Sequence, residues 1–269
     1  MDYVKLANNI VRHIENKPYD QGAYIDLLSL CRQWEEIEFQ AAHDLNEKLR
    51  SLCAKQLRVC NPKEAQKFYE AWRKSLLFDA PYKFDAFMTY IELDRKPEKR
   101  FYAPRRHYLK PMVQGFQDIL DKKLRLLTIS MPKRAGKSQT GINFVNMISG
   151  KYPDRATLME GTGDDLVKSF YNGCLEYLTV PNEYLFYDVF PEARLVQTGA
   201  DTKIINLKSK SRFPTIMCRS IDARQVGLSE ATNVLYLDDC VEGREEAKNR
   251  QRLDDKWEVI SGDIMGRAI

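Results

Sequence analysis

The stretch Leu126-Leu127-Thr128-Ile129-Ser130-Met131-Pro132-Lys133-Arg134-Ala135-Gly136-Lys137-Ser138 decides how this chain is read. Its first six residues are a short apolar run that reads as a strand. INFVNMISG, at 142–150, reads as a helix. A loop ending in Gly-Lys-Ser between a strand and a helix is the setting of a phosphate-binding loop. Backbone N–H groups at the helix start, with the positive end of its dipole, cradle phosphate oxygens there. On this reading Lys133, Arg134, Ala135, Gly136, Lys137, Ser138 and Gln139 line a bound ATP. Lys137 neutralises the β- and γ-phosphates, and the Ser138 hydroxyl ligates Mg²⁺. Met131 stands where the usual pattern has its first glycine, so the loop is a variant.

Outward from the loop, short apolar runs alternate with helical stretches. The runs are ATLME (156–160), KIINL (203–207), TIMCRSI (215–221) and NVLYL (233–237), with DDLVKSFYNGCLEYL (164–178) as a helix among them. This alternation predicts an α/β fold with a mainly parallel central sheet flanked by helices. The run 233–237 leads into Asp238-Asp239. A lone pair of carboxylates there would cap a strand-to-turn junction. Downstream of a phosphate loop, the pair instead supplies the acids that ATP hydrolysis needs. Asp238 is then the Mg²⁺-side acid. Asp239 orients the attacking water with a side chain one methylene shorter than the usual glutamate, and Glu242 is the alternative base.

Residues 1–95 have a different texture and read as a helical region. Leu45, Leu49 and Leu52 recur at helical spacing, as do Ile25, Leu28 and Cys31. Asn61-Pro62-Lys63-Glu64 places a cap, a first-turn proline and a first-turn acid ahead of a helix presenting Phe68, Trp72 and Leu76, with Tyr69 beside them. Neither strands nor a catalytic cluster are predicted here, which suits a packing or docking domain. The charged, proline-containing stretch ELDRKPEKRFYAPRRH (92–107) marks the boundary, with the ATPase domain at 96–269.

Composition narrows the classes further. A hydrophobic content of 43% over 269 residues is that of a globular chain, and the net charge is only +4. No apolar run approaches a membrane span, and the N-terminus lacks the pattern of a signal peptide. Six dispersed cysteines without a CxxC pair and three scattered histidines make zinc and redox chemistry poor readings and point to a reducing compartment.

From about Arg105 onward, these motifs resemble the ATPase domain of the large terminase subunit, which packages DNA into tailed-phage capsids. The run 131–138 is similar to that family's variant phosphate loop. Leu237-Asp238-Asp239, with Glu245-Glu246-Ala247, Trp257 and Arg267 beyond, is similar to its stretch after the second strand. Lys110-Pro111-Met112-Val113-Gln114-Gly115-Phe116-Gln117-Asp118-Ile119-Leu120 looks like its adenine-reading segment. The resemblance makes Gln114, or alternatively Gln117, the adenine contact. It makes Arg224 the arginine that reaches a neighbour's nucleotide and Arg134 a nucleotide sensor. It also implies double-stranded DNA, a portal protein and a small terminase subunit as partners, and a homo-oligomeric ring in the host-cell cytoplasm at the procapsid portal, with no membrane. The family's coupling motif and nuclease follow the ATPase domain. Because this sequence stops at Ile269, the resemblance predicts no nuclease activity, and either a piece of a longer polypeptide or a naturally split reading frame.

Two basic stretches are candidates for gripping DNA phosphates. One is Lys96, Lys99, Arg100, Arg105, Arg106 and Lys110, interleaved with Phe101, Tyr102, His107 and Tyr108. The other is Lys203, Lys208, Lys210 and Arg212 on a hairpin-like excursion. Each also reads as a solvated face. The alternatives to a packaging motor are a helicase-like translocase, a small-molecule P-loop kinase, and a nucleotide-binding scaffold or adaptor that does not hydrolyse.

Overall fold

The structure, a computed structural model, describes residues 2–223, 230–241 and 243–267. The chain divides into two compact units, 1–90 and 91–269.

The first unit is helical, with α1 (Tyr3–Asn16), α2 (Gln21–Glu35), α3 (Phe39–Gln56), α4 (Pro62–Asp79) and α5 (Phe84–Tyr90). Asp2 caps α1 by accepting from Lys5 N. Asn61 caps α4 by accepting from Lys63 N and Glu64 N at 3.1 Å each, with Pro62 in the first turn as its sequence predicts. The core joins Val11 and Ile14 of α1, Tyr24, Leu27 and Leu28 of α2, Leu49 of α3 and Phe68 of α4. Tyr24 meets Phe68 edge-on at 5.1 Å. Of the trio Ile25, Leu28 and Cys31, the last two are buried, but Ile25 is 55% exposed, because the inward face of α2 runs along Leu27, Leu30, Cys31 and Trp34 and leaves Ile25 at its edge.

The second unit contains α6 (Arg106–Leu120), α7 (Lys137–Lys151), β1 (Thr157–Gly161), α8 (Asp164–Thr179), the short α9 (Phe186–Val189), β2 (Leu195–Gly199), β3 (Ile204–Leu207), β4 (Ile216–Ser220), β5 (Val234–Asp238), α10 (Gly243–Lys248) and α11 (Arg250–Glu258). The five strands form one sheet in the order β2-β3-β4-β1-β5. The sheet is mixed, which corrects the mainly parallel expectation: β1 runs parallel to β4 and β5, whereas β3 is antiparallel to both β2 and β4. An apolar run carries no direction, and antiparallel neighbours need only a short connection, here 200–203 between β2 and β3.

The second correction concerns 126–131, which is not a strand. Leu126 is 72% exposed, and the sheet ends at β5. Apolar and β-branched residues give a segment the propensity for a strand, but a ladder partner makes one.

α7 is buried on all sides from Thr140 to Gly150. Along β5 the side chains alternate between faces. Tyr236 points to Phe170 of α8 and to Gly141 of α7, while Leu235 and Leu237 pack with Ile260 and Ile264. Helices therefore cover both faces of this strand. Gly141 is required by that close approach, since a Cβ there would lie 2.1 Å from Tyr236 Oη. Gly141→Ala is expected to destabilise the protein by about 1–3 kcal/mol, read as a lower denaturant midpoint at unchanged slope.

Candidate active site

Lys137 opens α7 directly after two left-handed residues, Arg134 (φ 64°) and Gly136 (φ 99°). Glycine carries that conformation without strain, whereas a side chain at Gly136 would also strike the Phe101 ring at 2.8 Å. Gly136 offers no side-chain cap, so the first-turn N–H groups of α7 have no acceptor from the N-cap side chain that usually serves a helix N-terminus.

Asp238 ends β5, in register with Gly161 of β1, and Asp239 follows it with φ 44°. Lys137 Nζ donates to Asp239 Oδ1 at 2.6 Å and lies 3.1 Å from Asp238 Oδ1. The second contact is an ion pair without hydrogen-bond alignment. Both Asp238 oxygens therefore lack a hydrogen-bond donor among the described residues, although Asp238 is 1% exposed. Burial alone would lower the Lys137 pKa. The hydrogen bond to Asp239 and the charge of Asp238 outweigh that, and the group is held above its ordinary value. The fold thus brings Lys137 to the adjacent pair Asp238 and Asp239, with 102 positions between Lys137 and Asp239 in sequence.

A second layer is missing from the sequence reading. Thr162, just past β1, donates its Oγ1–H to the Asp239 carbonyl at 2.6 Å, and its N–H approaches the same oxygen at 3.4 Å. Its one signal in the sequence is its place at the C-terminal end of a predicted strand, where α/β sheets carry their ligands. On the loop's other side, Phe101 lies against Gly136, with the Arg105 guanidinium 5.2 Å from its ring. The buried Glu92 carboxylate accepts from the N–H groups of Phe101 and Tyr102, fixing that aromatic. Burial pushes the Glu92 pKa up, against the pull of those two donors.

The other predicted residues are placed as follows. Lys133 and Arg134 are exposed, Ala135, Ser138 and Gln139 are half-buried, and Gln139 donates to Tyr177 Oη at 3.2 Å. Gln114 and Gln117 lie on α6 and donate to Asp118 and Asp121, one helical turn on. Arg224 and Glu242 lie outside the described residues.

Both basic stretches spend charge internally. Lys99 pairs with Glu183, Arg100 donates to the Leu93 and Arg95 carbonyls, Lys203 pairs with Asp164 and Lys208 with Asp154. No family model matches this chain, and no curated protein matches it significantly.

Proposed function

We propose that this chain is the ATPase portion of a viral DNA-packaging large terminase subunit, a Mg²⁺-dependent P-loop ATPase whose hydrolysis drives double-stranded DNA into a procapsid. The ATP site is supported by one juxtaposition above all: the lysine at the uncapped start of α7 meets the two carboxylates at the end of β5. The packaging role rests on the resemblance of 131–138, 237–247 and 110–120 to that family. Portal, small subunit and ring assembly at the procapsid come with it. Among the described residues, no helix is long and apolar enough to cross a membrane.

The residues suit a hard divalent cation. Asp238 is a buried carboxylate with no hydrogen-bond donor among the described residues, and the Ser138 hydroxyl sits in the first turn of α7. Mg²⁺ bound by these two groups would neutralise charge building on the β- and γ-phosphate oxygens. Phosphate oxygens accept from the first-turn N–H groups of α7 and from Lys137, which exchanges Asp239 for them. Released, the Asp239 carboxylate would orient the attacking water toward the γ-phosphorus and take its proton as the new P–O bond forms, while the bond to the oxygen bridging the β- and γ-phosphates breaks and ADP leaves. Glu242 is the alternative base, and Arg224 or Arg134 supplies the positive charge that meets the transferring phosphoryl group. Gln114, or Gln117, reads the adenine edge once it turns from its partner on α6.

The closed Lys137–Asp239 pair favours a second reading, a scaffold that holds nucleotide without hydrolysing it. Steady-state ATP hydrolysis with Mg²⁺ at increasing protein concentration, with Lys137→Ala as the blank, separates the two. The expected result is a Lys137-dependent rate whose specific activity climbs with concentration, because a neighbour's arginine completes each site. A flat specific activity would move the arginine role to Lys133 or Arg134. Nucleotide binding with no rate above the blank would leave the scaffold.

A further inference from the structure

We infer that Thr162 is a positioning residue that holds Asp239 in its left-handed backbone and thereby sets the Lys137–Asp239 pair, the contact that must open when phosphate enters. The catalytic part of this inference rests on the proposed ATPase reading; the geometric part does not.

A residue other than glycine at φ 44° is strained and persists where its surroundings over-determine it. Two donors from one residue supply that constraint. The Thr162 hydroxyl and N–H converge on the Asp239 carbonyl oxygen at 2.6 and 3.4 Å. Thr162 is itself 9% exposed and is anchored on its N-terminal side by β1, whose Gly161 lies in register with Asp238. Gly161 O also accepts from Ile221 N at 3.0 Å, so the ends of β1 and β4 are tied at the same level. The peptide between Asp239 and Cys240 is thus clamped on the side of β1, and the Asp239 side chain leaves on a fixed course toward Lys137 Nζ, 2.6 Å away. Asp238 needs no such clamp, because it still lies in the β1–β5 ladder. The two neighbouring carboxylates are therefore set independently, Asp238 by the ladder and Asp239 by Thr162.

Thr162→Val removes the hydroxyl at constant shape, and Thr162→Ser keeps it. Two readouts on the full chain test the inference. The first needs no hydrolysis: the rate at which an amine-acylating reagent modifies Lys137, followed by peptide mass spectrometry against the other lysines. Loosening Asp239 frees the amine, so Thr162→Val is expected to raise Lys137 acylation about threefold, with Thr162→Ser at the parent rate and Asp239→Asn as the upper limit. The second is kinetic: in Thr162→Val, kcat is expected to fall on the order of 10²-fold while the affinity for a fluorescent ADP analogue stays at the parent value, and Thr162→Ser is expected to restore kcat.

Unchanged Lys137 acylation in a folded Thr162→Val protein would overturn the inference, as would a serine variant as impaired as the valine one. So would a parallel loss of nucleotide affinity and thermal stability, which marks a residue that only holds the fold. An acylation shift in a protein without any Lys137-dependent hydrolysis would uphold the geometric inference and sink the ATPase reading instead.

Discussion

Asp238→Asn is expected to lower Mg²⁺-dependent ATP hydrolysis by about 10²- to 10³-fold while leaving the nucleotide-free protein at least as stable as its parent. The two halves of that result have one cause. Asp238 is 1% exposed, and neither carboxylate oxygen has a hydrogen-bond donor among the described residues. Its compensation is the Lys137 ammonium at 3.1 Å, which is shared with Asp239. A buried carboxylate in that position is costly in the empty protein, and a neutral amide of the same shape is cheaper to bury. The expected gain is about 1 kcal/mol, read as a higher thermal midpoint. With nucleotide and Mg²⁺ the ordering reverses: the parent should gain stability by mass action on ligand binding, and the variant should gain much less. A structural carboxylate behaves the other way, and a variant that unfolds earlier yet still hydrolyses ATP would remove Asp238 from the proposed metal role.

What the sequence made legible were features carried by local order. Asn61-Pro62 starts α4, the run 142–150 forms the body of α7, and 233–238 becomes β5 with Asp238 at its end. Each depends on neighbours within a few residues. What stayed hidden depends on partners distant in sequence. The run 126–131 has strand composition and no strand beside it. β2 escaped notice because LVQTG is only marginally apolar, and it exists through pairing with β3. Ile25 shares a helical spacing with Leu28 and Cys31, which are buried, but it lies at the edge of that face and stays exposed. Thr162 meets Asp239 across 77 positions, a distance no periodicity reports. The meeting of Lys137 with Asp238 and Asp239 was inferable only because a phosphate loop and an acid-ended strand imply each other chemically.

Asp79→Asn, in the first unit, is expected to cost about 3–5 kcal/mol of stability. Asp79 is 1% exposed and faces both His43 and Arg50. Its Oδ1 lies 2.5 Å from His43 Nδ1, and its Oδ2 accepts from Arg50 Nη2 at 2.6 Å. The imidazole is itself fully buried, with Nε2 3.2 Å from Glu35 Oε1 and its ring stacked on Phe78 at 4.7 Å. A carboxylate thus stands at each ring nitrogen, Asp79 at Nδ1 and Glu35 at Nε2. The cluster joins α2 through Glu35, α3 through His43 and Arg50, and α4 through Asp79. Removing the central charge strands Arg50 and His43 together, and the low dielectric that strengthens the intact network makes the broken one expensive. Arg50 is 19% exposed on its side chain and can turn toward water, so Arg50→Met should cost less than Asp79→Asn. A double-mutant cycle between the two, followed by urea unfolding, is expected to give a coupling of about 1.5–3 kcal/mol. Additive effects would mean that the 2.6 Å contact contributes nothing measurable and that His43 alone accounts for the cost of losing Asp79.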